Sequence, residues 1–415
     1  MWEKNITGKQ YSSEHRQEFA EPEKGQRVTE FRRYLQIFLC AAAAVLAAGC
    51  GPVTVNPPAV AVNRKTAFAL DENGKYTFLP ESRARGIFLS DIYGNFLAPV
   101  TGFRHICGWC DFSPADNMLL YVKKETAKSG AEQYVLAAYD LKTEEETPEF
   151  ISTRYIWFPR WSPNGKYIAF CGEGRNEVTV INWRKNEVVY RVKTNSVFYR
   201  WLPDASGLLT VDLLDEIDSI EGGTMHYFII RKKFFEKGKD TEDLIRGYSR
   251  NCWPDISSDG NRIVFNAVEF SGPTSMIVDA FDQKEHVYLY EYAEKKVRRI
   301  TGKGISAFYA VISPDGSKVA FVDCENDILS GGDLWVADLT RELYSLRKIW
   351  DRERAVYPFW CGDNVVGFVH LDPDTKIGKG FDGIYIYNIG NSNLISLKDR
   401  IQMLFKKKNN ENNAE

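Results

Sequence analysis

The sequence predicts an all-β chain, a seven-bladed β-propeller of four-stranded antiparallel blades, with six blades as the alternative. Three features point there: a turn phrase recurring at about fifty-residue intervals, a β-branched strand directly after each copy, and a second hairpin within each interval. The phrase reads Asp111-Phe112-Ser113-Pro114, Arg160-Trp161-Ser162-Pro163-Asn164-Gly165 and Arg200-Trp201-Leu202-Pro203-Asp204. It returns as Asp255-Ile256-Ser257-Ser258-Asp259-Gly260, Val311-Ile312-Ser313-Pro314-Asp315-Gly316 and, degraded, Phe359-Trp360-Cys361-Gly362-Asp363. Pro presets φ at the first central turn position, and Asp or Asn before Gly supplies the conformations that close a tight turn.

The strands after the turns are expected at Lys166–Phe170, Arg262–Phe265, Lys318–Val322 and Val365–Val369. Second hairpins are expected from near Ile87, Tyr134, Val178, Tyr227, Val287, Leu334 and Ile384, which makes the count seven. Ala59–Leu70 carries an apolar run without the turn phrase and is read as a degenerate first blade.

Alignment of the copies brings out two further positions. Four residues before the Ser position stand Trp109, Phe158, Phe198, Trp253, Tyr309 and Tyr357, all aromatic. Simple alternation places them on one strand face with the residue two before the Ser. Blades stack face to face, so such a ring fills the wedge between them; a carbohydrate-stacking platform is the functional alternative. Two residues before the Ser stand Asp111, Arg160, Arg200 and Asp255, in consecutive blades. Buried charges are costly unless paired, so Asp111–Arg160 and Arg200–Asp255 contacts between neighbours are expected. A charged channel gripping an anion is the other reading.

Residues 1–49 are read as a signal peptide with a long n-region. Phe31-Arg32-Arg33 precedes the apolar run Tyr34–Ala48, which is short of the roughly 20 residues that span a bilayer. Leu46-Ala47-Ala48-Gly49-Cys50 resembles the bacterial lipobox, which implies cleavage before Cys50, its lipid modification and a membrane-held protein of the cell envelope, on the periplasmic side of the outer membrane. Residues 50–57 then form a tether, 58–398 the propeller and 399–415 a tail beginning in basic residues.

Arg160–Phe170 (RWSPNGKYIAF) and Val311–Phe321 (VISPDGSKVAF) are similar to the repeat of TolB-type propellers, and the similarity spans residues 58–398. The resemblance implies the fold. It does not imply one function, because similar repeats occur in envelope scaffolds, in the propeller halves of serine peptidases and in polysaccharide lyases.

With 53 basic against 56 acidic side chains, nothing in the charge favours nucleic acid as a partner. The sequence contains no Gly-x-Ser-x-Gly elbow, no HExxH and no Gly-rich phosphate loop. Of His105, His226, His286 and His370, only His105 falls near the start of an inner strand, so no metal site is expected. Cys107-Gly108-Trp109-Cys110 has redox spacing, but an extended strand would hold the two Cα atoms about 10 Å apart, too far for a disulfide. The acidic stretches Asp212–Glu221, Asp323–Asp333 and Asp372–Asp382 read as solvated loops. The resulting expectation is a noncatalytic envelope lipoprotein without cofactor, recognising a protein, peptide or glycan by the rim that carries its long loops. A channel-centred lyase or glycan-active enzyme is the alternative.

Overall fold

The computed structural model describes residues 106–397, except for 115–116, 128, 148–151, 154–155, 173–176, 197, 215–226, 250–251, 269–283, 326–329, 341–343 and 372–380. It also describes the backbone of three earlier strands. The signal-like segment, Cys50, the tether, His105, His226 and the tail beyond residue 397 lie outside the described residues, as does the side chain of Trp109.

The chain folds into successive antiparallel sheets, each built from one contiguous stretch. β1 (Lys65–Leu70), β2 (Gly86–Asp91) and β3 (Leu97–Pro99) form a three-stranded sheet. The next contains β4 (Ile106–Phe112), β5 (Met118–Thr126), β6 (Glu132–Asp140) and β7 (Glu145–Glu146), with β8 (Ser152–Thr153) also on β6. β9 (Trp157–Trp161), β10 (Tyr167–Cys171), β11 (Glu177–Asn182) and β12 (Glu187–Lys193) form a four-stranded unit. So do β13 (Tyr199–Trp201), β14 (Gly207–Leu214), β15 (Tyr227–Phe234) and β16 (Glu242–Tyr248). A further unit contains β17 (Asp255–Ile256), β18 (Arg262–Val268), β19 (Glu285–Glu291) and β20 (Lys296–Arg299).

The last sheet has seven strands: β21 (Ala307–Ile312), β22 (Lys318–Asp323), β23 (Gly332–Asp338), β24 (Ser345–Gly362), β25 (Val365–Leu371), β26 (Phe381–Asn388) and β27 (Asn393–Ser396). It is two units in one. The first part of β24 pairs with β23 up to Trp350 and once more at Ala355, and its second part pairs with β25 from Ala355 onward. Between them the backbone kinks at Glu353 and Arg354, both at positive φ, and Trp350 Nε1 donates to the Glu353 carbonyl at 3.0 Å.

The first strand of each unit is the inner one. First strands are mostly buried, whereas last strands such as β12 and β27 are largely exposed. Second and third strands are buried on both faces, as in Tyr167–Cys171 and Glu285–Glu291, which is the signature of sheets stacked side by side. The core is correspondingly continuous from unit to unit, running from Leu120 through Phe170, Phe228 and Phe265 to Phe368.

In three units the recurring turn phrase closes the first hairpin by a side-chain device. Ser313 Oγ donates to Asp315 Oδ1 at 2.6 Å and accepts the Lys318 N–H at 2.9 Å, while Asp315 Oδ1 also accepts the Ser317 N–H at 3.0 Å. Ser162 with Asn164 and Ser257 with Asp259 repeat the arrangement. Gly165, Gly260 and Gly316 supply the positive φ that this turn needs, and Ala205 takes the same conformation in a copy that lacks Gly.

The alternation expected on the inner strands does not hold throughout. Register shifts place an extra residue in β9, β21 and β24, at the aromatic positions. Phe158, Tyr309 and Tyr357 sit there at φ of +54°, +57° and +50°. Each is a β-bulge, which turns the residues on either side relative to a regular pleat. β4 also shifts register between Cys107 and Cys110, so the extended-strand distance between those cysteines does not apply.

Candidate functional site

Each inner strand runs toward its marked turn, so its aromatic position lies at the opposite rim. In the units from β4 onward the connections from second to third strands start and end at that same rim, and the longest of them are residues 215–226, 269–284 and 372–380. The first-to-second connections are short turns, such as 162–166 and 313–317.

The aromatic position forms a continuous arc. Ring centroids are 6.3 Å apart for Phe158–Phe198, 4.8 Å for Phe198–Trp253, 5.9 Å for Trp253–Tyr309 and 4.7 Å for Tyr309–Tyr357. These are tilted or edge-to-face contacts at favourable separations. All five residues are between 1 and 8% exposed, so the rings fill the space between units and present no open face for a sugar.

The charged position lies further along each inner strand, toward the marked turn. Arg160 Nη1 is 3.5 Å from Asp111 Oδ1, and Arg200 Nε is 3.0 Å from Asp255 Oδ1. Each aspartate also takes a backbone N–H of the following unit: Trp161 N to Asp111 Oδ2 at 2.8 Å, and Ile312 N to Asp255 Oδ2 at 3.0 Å. These are stitches between neighbouring units as well as ion pairs. Burial pushes the Asp111 carboxyl up to about 6, because the long contact with Arg160 and the Trp161 N–H only partly offset its loss of water.

Two kinds of inter-unit bond escaped the sequence reading. Trp201 Nε1 donates to the Arg160 carbonyl at 3.3 Å, and Trp360 Nε1 donates to the Val311 carbonyl at 3.0 Å. Both tryptophans stand one residue before the marked position, and both reach the inner strand of the preceding unit. That recurrence was visible in the aligned repeats. Tyr199 is the other case: its hydroxyl reaches the carbonyls of Phe158 and Ala169 in the preceding unit, and burial drives its ionisation well above the usual phenol range.

A buried polar group sits where residues 269–284 leave the sheet. Ser249 Oγ is 2.9 and 3.0 Å from the two Glu285 oxygens, and Asn266 Nδ2 is 3.0 Å from Glu285 Oε2. Asn266 Oδ1 accepts the Trp253 N–H at 3.1 Å, tying this group to the aromatic arc. No repeat pattern announces it, since Ser249, Asn266 and Glu285 come from three different segments.

The remaining candidates are dispersed. His286 Nδ1 is 3.3 Å from Thr301 Oγ1 on outer strands, and His370 lies on β25 beside Trp350 and Tyr385. Among the described residues no group of three or more His, Cys, Asp or Glu is placed to hold a metal ion. Asp212 is paired with Arg231 and Lys233 (2.9 Å to the latter), and Asp333 with Lys348 at 2.6 Å. Among the described residues no helix is long and apolar enough to cross a membrane.

These inner strands, stacked sheets and inter-unit stitches define a β-propeller fold. No protein-family profile matches the chain, and no curated protein is similar to it in sequence. Solved structures are similar in fold. The propeller domain of the trilobed protease from Pyrococcus furiosus, described as having an open velcro topology, aligns over 75% of this chain and 89% of its own, with TM-score 0.52 and 14% identity. An oligogalacturonate lyase in complex with manganese aligns over 80% of this chain and 85% of its own, with TM-score 0.50 and 15% identity. TolB from Acinetobacter baumannii aligns over 75% of each chain, with TM-score 0.45 and 17% identity. At such identities the likeness concerns architecture alone.

Proposed function

We propose that this chain is a noncatalytic lipoprotein of the bacterial envelope, anchored through Cys50, whose seven-bladed propeller recognises a protein, peptide or glycan. The observation that carries the recognition surface is the asymmetry of the rims. One is closed by short, self-bonded turns, and the other receives the long connections 215–226, 269–284 and 372–380. Long loops on a rigid scaffold are where recognition is commonly built, and folding alone does not require their length on one side only. The seven-blade reading counts the three-stranded first sheet as one blade and divides the last sheet at the kink in β24.

Two experiments test the parts separately. Cys50→Ser is expected to move the protein from the membrane fraction to the soluble fraction on centrifugation of bacterial lysates; retention in the membrane would remove the lipid anchor from the reading. Deletion of residues 271–282 is expected to leave the circular dichroism spectrum and melting transition intact while abolishing crosslinked capture of the partner from native membranes. Unchanged capture would dismiss this rim as the binding face.

A further inference from the structure

The first sheet has the outline of a unit without its inner strand. From β4 onward, first-to-second connections are uniform: 113–117, 162–166, 202–206, 257–261 and 313–317, five residues each. β1 and β2 are instead separated by residues 71–85, a length found between second and third strands, while β2 and β3 are separated by the short turn 92–96. Packing agrees. β1 and β2 both contact the next inner strand, β4, just as the second and third strands β18 and β19 contact the inner strand β21. β1 is thus a second strand, and among the described residues it pairs with β2 alone. Its inner edge carries unpaired backbone groups, a template for one further strand.

Two stretches of this chain compete for that edge. A five-residue turn before Lys65 would make residues up to Ala59 the local candidate. That alignment puts Asn56 at the aromatic position and Pro58 at the charged position, where Pro removes a ladder hydrogen bond. The turn itself would be Val60–Arg64, which has none of the Ser, Asp or Gly chemistry of the other copies.

The C-terminal stretch fits better. Connections from an outer strand to the next inner strand are 100–105, 194–198, 249–254 and 300–306, five to seven residues. The same spacing after Ser396 begins a strand between residues 402 and 404. Phe405 then follows Tyr357 by 48 residues (405 − 357), as Tyr357 follows Tyr309 (357 − 309), and Lys407 stands two further on, at the charged position. The register is also set. Asp111, Arg160, Arg200, Asp255 and Val311 each pair with the third residue of their second strand, and the third residue of β1 is Ala67.

We propose that residues 402–408 add antiparallel to the open edge of β1, with Lys407 opposite Ala67, and so close the ring with the chain's own C-terminal segment. This rests on the seven-unit reading above. It is independent of the lipid anchor and of the loop rim, whose tests leave it untouched.

The test uses the full-length chain. Amide hydrogen exchange is expected to run about 100-fold slower than in an unstructured peptide across residues 402–408, and at the unstructured rate from Asn410 onward. Phe405→Asp is expected to abolish that protection, and Asn412→Asp to leave it intact. Paired Cα atoms in antiparallel strands lie about 4.5–5.5 Å apart, within disulfide reach. Oxidised glutathione is therefore expected to link A67C/K407C, seen as a crosslinked peptide by mass spectrometry, and not A67C/N412C. Unstructured exchange across 402–408 in the wild type overturns the proposal. So does protection of residues 53–59 in their place, or protection of 402–408 without the 67–407 link. Should the cysteine variant fail to fold, wild-type exchange and its loss in Phe405→Asp decide.

Discussion

Replacing Trp360 by Ala is expected to lower the unfolding free energy by about 4 kcal/mol, the middle of the range for a large buried aromatic side chain. The residue is almost wholly buried on β24, where its ring joins the core shared between units. Its Nε1 also supplies the hydrogen bond to the Val311 carbonyl, and removing it leaves a buried acceptor without that donor. Trp360→Phe separates the two contributions: it retains most of the ring contact and loses the bond, at an expected cost of about 1–2 kcal/mol. Guanidinium unfolding curves measure both, with the midpoint shift read at constant slope. Equal losses in the two variants would mean that the hydrogen bond carries the whole effect and that ring packing contributes nothing.

Asp111 is expected to make the protein less stable as pH rises from about 4 to about 6. Its folded value near 6 lies above the usual 3.8, so across that interval the folded chain retains a proton that the unfolded chain has released. Stability is therefore greatest below the unfolded value, falls through the interval and levels off above about 6. The gap between 3.8 and about 6 corresponds to roughly 3 kcal/mol for this group. Other carboxylates oppose the trend at lower pH: Asp212 and Asp243 are held below the ordinary range by hydrogen bonds from Lys233 and Arg231, against the cost of burial, so their contribution is lost as the medium becomes more acidic. The difference between wild type and Asp111→Asn isolates the group. Asn keeps an acceptor for the Trp161 N–H and cannot ionise, so the variant is expected to lack the fall between pH 4 and 6. Parallel stability profiles for the two proteins would show that Asp111 does not titrate in this interval.

Much of the architecture could be read from the residues because the marked turn uses chemistry written in its own side chains. Ser, Asp or Asn, and Gly at fixed offsets form a hydrogen-bonded loop that needs no tertiary partner, so the phrase identifies the hairpin wherever it occurs. The aromatic and charged positions were likewise visible by alignment. Their detailed geometry was not, because alternation assumes a regular pleat, and the bulges at Phe158, Tyr309 and Tyr357 break it. Bulky residues rarely take positive φ, so local propensity argues against a bulge there and the surrounding packing must impose it. The Glu285 group was hidden for another reason: Asn266 and Glu285 lie diagonally on the paired strands β18 and β19, but Ser249 joins them only when the preceding sheet is stacked alongside. The long-loop rim was legible from segment lengths between turns, which require no side-chain geometry.

Strand β24 has an effect on how the molecule comes apart. Elsewhere, successive sheets are joined by loops, and one could loosen while its neighbour stays intact. Here a single extended backbone leaves β23 and enters its pairing with β25, with only the kink at Glu353-Arg354 between them. Peeling either end of that shared strand pulls on the other, so the two C-terminal sheets are expected to loosen together rather than one at a time.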